Sequence, residues 1–135
     1  MSRDTPAADR GARRGWAIAC VVAWIGAFVA THVPAEQLPN LPVESDKTLH
    51  FLGYLFLGLL LLGSLSSRGR RGPRRWLTVV GVMVVYAAFD EGTQPLVNRY
   101  AAWGDAWADI LGGLVAIGIW EAVAGARRLA RSPAG

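Results

Sequence analysis

The full charges of this chain are kept out of four long apolar blocks, and that segregation limits what it can fold into. Trp16 to Val33 is 18 residues without a full charge, and Leu49 to Ser67 is 19, broken only by His50. Trp76 to Phe89 is 14 uncharged residues, followed at once by Asp90 and Glu91. Ile110 to Trp120 is 11, preceded by Asp105 and Asp109. A helix needs about 20 residues to cross roughly 30 Å of hydrocarbon. The first two blocks reach that length as they stand. The third reaches it by running on to Gln94, where Pro95 stops it, and the fourth by taking in its two aspartates. The order predicts an all-α integral membrane bundle of four transmembrane helices. Its spans are expected near 16–33, 48–67, 76–94 and 102–124, in a membrane domain of 16–125 between basic tails at 1–15 and 126–135. One cysteine and aperiodic Gly and Pro in a chain that is 53% hydrophobic exclude disulfide, collagen-like and disordered classes.

Orientation follows from Lys and Arg. Arg3, Arg10, Arg13 and Arg14 precede the first span, and Arg127, Arg128 and Arg131 follow the last. Arg68, Arg70, Arg71, Arg74 and Arg75 lie between the second and third spans, leaving only Lys47 and Arg99 for the other side. Both termini are therefore expected in the cytoplasm. Trp16, Trp76 and Trp120 fall near one interface and Trp103 and Trp107 near the other, as an aromatic belt requires. Because the basic clusters abut apolar spans, they read as topology determinants and lipid contacts, not as a nucleic-acid surface. The first block is longer than a signal-peptide core and has no small-x-small cleavage site after it. Cys20 reads as a small packing or lipid-facing residue.

The remaining polar residues converge. The second span opens with Ser45-Asp46-Lys47-Thr48-Leu49-His50, where Ser45 or Asp46 suits a helix cap and Asp46 shares a face with His50. The third ends with Asp90-Glu91-Gly92-Thr93-Gln94, Arg99 follows in a short connection, and the fourth begins with Asp105-Ala106-Trp107-Ala108-Asp109. The topology puts all of them at the extracytoplasmic end. Fully ionised, with His50 neutral, the five carboxylates outweigh Lys47 and Arg99 by three charges. Either some are protonated, or a cation or cationic ligand completes the site, or several face water. Asp109 lies one turn deeper than Asp105 and needs a partner, for which Arg99 or Lys47 is the natural choice. Glu121, at the other end, reads as an anchor beside Arg127 and Arg128. Gly53, Gly58, Gly112, Gly113 and Gly118 are expected to let the helices approach closely.

These motifs resemble the VanZ-like family of small bacterial multi-pass membrane proteins. The pattern D-K-x-x-H is matched by Asp46, Lys47 and His50, and D-E-x-x-Q by Asp90, Glu91 and Gln94. An arginine follows at Arg99, and D-x-x-x-N-x-x-G is matched at Asp105 and Gly112, with Asp109 where the family has asparagine. That departure replaces a hydrogen-bond donor by an acceptor and adds negative charge to the site. The resemblance implies a cell-envelope protein connected with resistance to the glycopeptide teicoplanin, with no assigned chemistry.

Three functions stay open. In the first, Arg99, Lys47 and His50 hold the phosphate or carboxylate of an amphiphile at the outer leaflet while the carboxylates orient them. Lipid-linked wall precursors and lipoglycopeptides are the partners this suits. In the second, a membrane enzyme acts on a lipid phosphate through His50 with Asp46 and a raised-pKa Asp90 or Glu91, and the same set could hold a divalent metal. No clear nucleophile stands beside His50, Ser45 and Thr48 reading as helix-start residues, and no HExxH, CxxC or glycine-rich phosphate loop occurs. The reading therefore leans away from an enzyme and assigns no cofactor and no metal. In the third, the chain is a structural subunit or an ion carrier, though the cytoplasmic halves of the spans offer almost no ionisable path.

Overall fold

The computed structural model describes residues 7–37 and 43–131. The protein is all-α: α1 (Ala7–Thr31), α2 (Val43–Ser67), α3 (Pro73–Thr93) and α4 (Trp103–Leu129), with short 3-10 turns at Ala35–Gln37 and Gln94–Val97. All four helices are long and apolar enough to cross a membrane, so the chain is a multi-pass membrane protein. Each helix keeps large apolar side chains on the outside, among them Ile25, Phe56, Leu77 and Leu111. A soluble domain would bury most of that surface; lipid solvates it.

The breaks between helices have local causes. Gly69, in the left-handed region at φ 79°, closes α2 with a paired motif in which Arg70 N–H reaches Leu65 O at 3.0 Å and Gly69 N–H reaches Ser66 O at 3.0 Å. Pro73 then opens α3, where its missing N–H is not needed. Beyond α3, Pro95 enters the 3-10 turn and Asn98 takes φ 57°, a conformation asparagine tolerates. Arg99 N–H closes this turn on Gln94 O at 3.2 Å, which brings Arg99 back over the end of the bundle.

α2 is the central helix and supplies Tyr54, Leu57, Leu62 and Leu65 to the core, against Val79, Met83 and Ala87 of α3 and Ala116 of α4. Small residues set the closest approaches, as expected where lipid removes the hydrophobic drive between helices. Gly112 lies against the Phe51 and Leu55 backbone, Gly113 against Met83, and Gly58 against Ala116. Gly53 and Gly118 do not share this role: a side chain at either would meet open space. Neither has a neighbour within 4 Å of that position among the described residues. α1 packs on α2 with the Trp16 ring over Gly63, and α1 also reaches back to Ala7, so the basic segment before the first span is partly helical. Arg3 lies outside the described residues.

The end carrying the arginine-rich loop is tied by Arg75 and Glu121. Arg75 is buried; its guanidinium bonds Glu121 and donates to Ser66 Oγ at 2.7 Å, while Trp76 Nε1 donates to Glu121 at 2.8 Å. Glu121 is thus an interhelical tether from α4 to the start of α3, where a partner in its own helix was expected. Arg128 stays close enough to add its field.

Candidate functional site

At the opposite end, α2 and α4 each present a carboxylate-bearing face toward the other. Asp46 and His50 are one turn apart on α2, and Asp105 and Asp109 one turn apart on α4. The close contact at Gly112 holds the two helices together just below, and His50 meets Asp109 across the gap: His50 Nδ1 donates to Asp109 Oδ1 at 3.0 Å, both side chains buried. Glu91 enters from α3. Its Oε2 accepts the Ala102 backbone N–H at 2.7 Å, at the start of α4, and this pins the carboxylate over His50 and Asp109.

Two groupings share the imidazole. One donor atom each from His50, Glu91 and Asp109 lie within 4.8 Å of one another, as do those of Asp46, His50 and Asp105. Relative exposure is 0% for Asp109, 7% for Asp105 and 8% for Glu91, so these three do not face water. Of the ways to carry their charge, protonation and a bound cation or cationic ligand remain. Asp109 Oδ2 and Glu91 Oε1 have no hydrogen-bond partner among the described residues. The Tyr54 hydroxyl, also buried without a well-formed hydrogen bond there, stands beside Asp109.

Arg99 and Lys47 form the rim. Arg99 donates to Thr31 O at 3.2 Å and lies 3.6 Å from Asp46 Oδ1 as an ion pair without a hydrogen bond. Lys47 is exposed, its stem passing over Gly104. The partner of Asp109 is therefore His50, not Arg99 or Lys47, because the turn at Gln94 holds Arg99 above the aspartate. His50 in turn is oriented by Asp109, where Asp46 was expected. Nor do Ser45 and Asp46 cap α2, which begins before them at Val43; the Ser45 side chain lies outside the described residues. Gln94 is buried with its amide nitrogen unpartnered among the described residues.

Asp90 belongs to a separate arm of the site. It is fully buried and accepts from Thr31 Oγ1 at 2.6 Å, with His32 Nδ1 at 3.7 Å from the same oxygen. His32 Nε2 also meets Thr93 Oγ1 at 2.8 Å, so α1 is stitched to the end of α3. Thr31, His32 and Tyr54 were not singled out from sequence. Tyr54 carried a signal, since Asp46, His50 and Tyr54 are successive i, i+4 positions on one face of α2.

An apolar groove of about 460 Å³ opens between α1 and α3, lined by Trp24, Gly81, Val82, Val85, Tyr86 and Phe89. At its upper end Phe89 precedes Asp90 and stacks with Phe28, which stacks on His32. Its inner wall is Tyr86, packed edge-on to Trp24 at 4.4 Å and 5.7 Å from the Tyr54 ring. Two aromatic side chains thus separate the lipid-facing groove from Asp109.

Fold and site together define a multi-pass membrane protein with a buried, acid-rich polar site at one end of its bundle. Comparison with known protein families, curated proteins and solved structures finds no match to the chain.

Proposed function

We propose that this chain is a VanZ-like protein of the bacterial cytoplasmic membrane, with both termini in the cytoplasm, that binds an amphiphile at the outer leaflet. The observation that carries the reading is the adjacency of the apolar groove to the polar site. An acyl or polyprenyl chain fits a groove facing the bilayer, and the headgroup then reaches the rim where Arg99 and Lys47 supply positive charge. The arginine-rich loop and tails at the other end support the orientation. Lipid-linked cell-wall precursors and lipoglycopeptides have this build, and the resemblance to VanZ-like proteins connects the latter with teicoplanin.

The test is titration of the purified protein with a polyprenyl phosphate in mixed micelles, read by native mass spectrometry. One lipid should bind per chain, and Arg99→Gln should weaken it at least about tenfold, the loss of one charge-assisted contact. The uncharged polyprenol binding as tightly as the phosphate would defeat the proposal. A second reading, transfer at a lipid phosphate, is favoured by the His50–Asp109 pair, which resembles a base with its orienting carboxylate. Phosphate release from a polyprenyl diphosphate, lost in His50→Gln, would select it.

A further inference from the structure

We infer that His50, Glu91 and Asp109 form a binding site for a divalent first-row cation, of the Mn²⁺ or Zn²⁺ kind. The three come from three different helices and bring an imidazole and two carboxylates within 4.8 Å of one another, all buried. Three protein ligands of this make-up, with positions left for water or a ligand, match an open metal site. The absence of a thiolate and the presence of imidazole favour first-row metals over Cu(I) or Ca²⁺.

A group of acids alone would not carry this. The further observation is what surrounds their oxygens. Asp109 is wholly buried and Glu91 nine-tenths buried, yet neither Asp109 Oδ2 nor Glu91 Oε1 has a well-formed hydrogen bond among the described residues, the Tyr54 hydroxyl approaching Asp109 without making one. In each case the other oxygen is already engaged, by His50 and by the Ala102 N–H. At Glu91 the Ala102 N–H fixes one oxygen and leaves the other without a partner among the described residues, the relation that outer-shell hydrogen bonds have to metal ligands. The buried Tyr54 hydroxyl beside Asp109 is a further polar group without a well-formed bond, and it serves as an outer-shell donor to the aspartate once a cation sits there. Buried carboxylates below the headgroups are costly unless neutralised, and Arg99 and Lys47 remain at the rim. Asp46 and Asp105, which share His50 in the second grouping, add negative potential along the way in.

The cation site goes beyond the amphiphile reading and does not depend on it. One consequence does rest on that reading: a held cation gives an anionic headgroup a ligand at the inner end of the rim.

The test uses the full chain purified in detergent, stripped with EDTA and titrated with Mn²⁺ under electron paramagnetic resonance. One Mn²⁺ should bind per chain, with ¹⁴N modulation from His50. Glu91→Gln and Asp109→Asn should each weaken binding at least about tenfold, while Glu36→Gln, an exposed acid at the same end, should leave it unchanged. Absence of stoichiometric Mn²⁺ and Zn²⁺ binding, or bound Mn²⁺ without nitrogen modulation, would overturn the site. So would a Glu91→Gln, Asp109→Asn double variant that binds as the wild type does. If the variants fail to fold, the nitrogen signal of the wild-type protein still decides. Polyprenyl phosphate binding is read separately: its failure with Mn²⁺ binding intact defeats only the amphiphile reading.

Discussion

Replacing Gly112 by alanine should loosen the bundle and uncouple the site in one step. The new Cβ would overlap Phe51 O and stand 2.9 Å from Leu55 N, both backbone atoms of α2 that cannot rotate away. Ordinary contact needs about 3.5 Å, and the closer clash, with Phe51 O, requires α2 and α4 to part by roughly 1 Å. Overpacking of this kind costs about 1–3 kcal/mol. The helix-propensity gain of glycine to alanine returns roughly 0.5–1 kcal/mol, so the net loss is about 0–2.5 kcal/mol. Gly53→Ala has the same propensity gain and no neighbour to meet, and should stabilise by roughly 0.5–1 kcal/mol. Gly112 lies three residues beyond Asp109, about 4.5 Å along the helix. The same separation would stretch the His50–Asp109 contact from 3.0 Å past the usual hydrogen-bond range of about 3.2 Å. Unfolding of the two variants by SDS titration in mixed micelles, with ¹⁵N spectra of the His50 ring, reads both effects. Variants that shift the midpoint alike, or an unchanged His50 resonance in Gly112→Ala, would refute the packing argument.

Other outcomes follow from single contacts. Thr31→Val removes the only hydroxyl that donates to Asp90 among the described residues, and should cost about 1–3 kcal/mol because a buried carboxylate loses its donor; thermal unfolding in detergent checks it. Tyr86→Phe deletes the bond to Trp24 O at 3.2 Å and should cost only about 0.6 kcal/mol, the usual size of an interhelical hydrogen bond in a membrane, measured by the same SDS titration. Arg75→Ala removes the bonds to Glu121 and Ser66 at the far end and leaves Glu121 only the Trp76 donor. It should lower stability by about 1.5–3 kcal/mol and leave Mn²⁺ and polyprenyl phosphate affinity unchanged in the folded fraction; a parallel loss of affinity would show that the two ends are coupled.

The four helices could be read from sequence because a bilayer admits charge only at its edges, and Asp90, Glu91, Asp105 and Asp109 mark those edges plainly. The pairing within the site could not. Asp90 and Glu91 are neighbours in the chain but about 100° apart around α3, so one turns to Thr31 of α1 and the other to Ala102 of α4. Which goes where depends on the rotation of α3, and periodicity in so apolar a helix leaves that open. The choice of His50 over Arg99 as partner to Asp109 likewise depends on the turn at Gln94 and the α2–α4 approach at Gly112. A count of full charges passed over Thr31 and His32, although both close the first apolar block on the side where the acids gather. Glycine spacing did not separate Gly53 from Gly112, because only the facing helix distinguishes a contact from open lipid.

The claim that most depends on the bundle's orientation is that the acid-rich end faces outward. Single cysteines in a Cys20→Ala background, at Tyr100→Cys beside the site and Arg70→Cys in the arginine-rich loop, both exposed, should be probed in intact cells with a membrane-impermeant thiol reagent. Labelling at position 100 but not at 70 is the predicted result. Labelling at 70 alone would invert the bundle, place the site in the cytoplasm and contradict an outer-leaflet ligand.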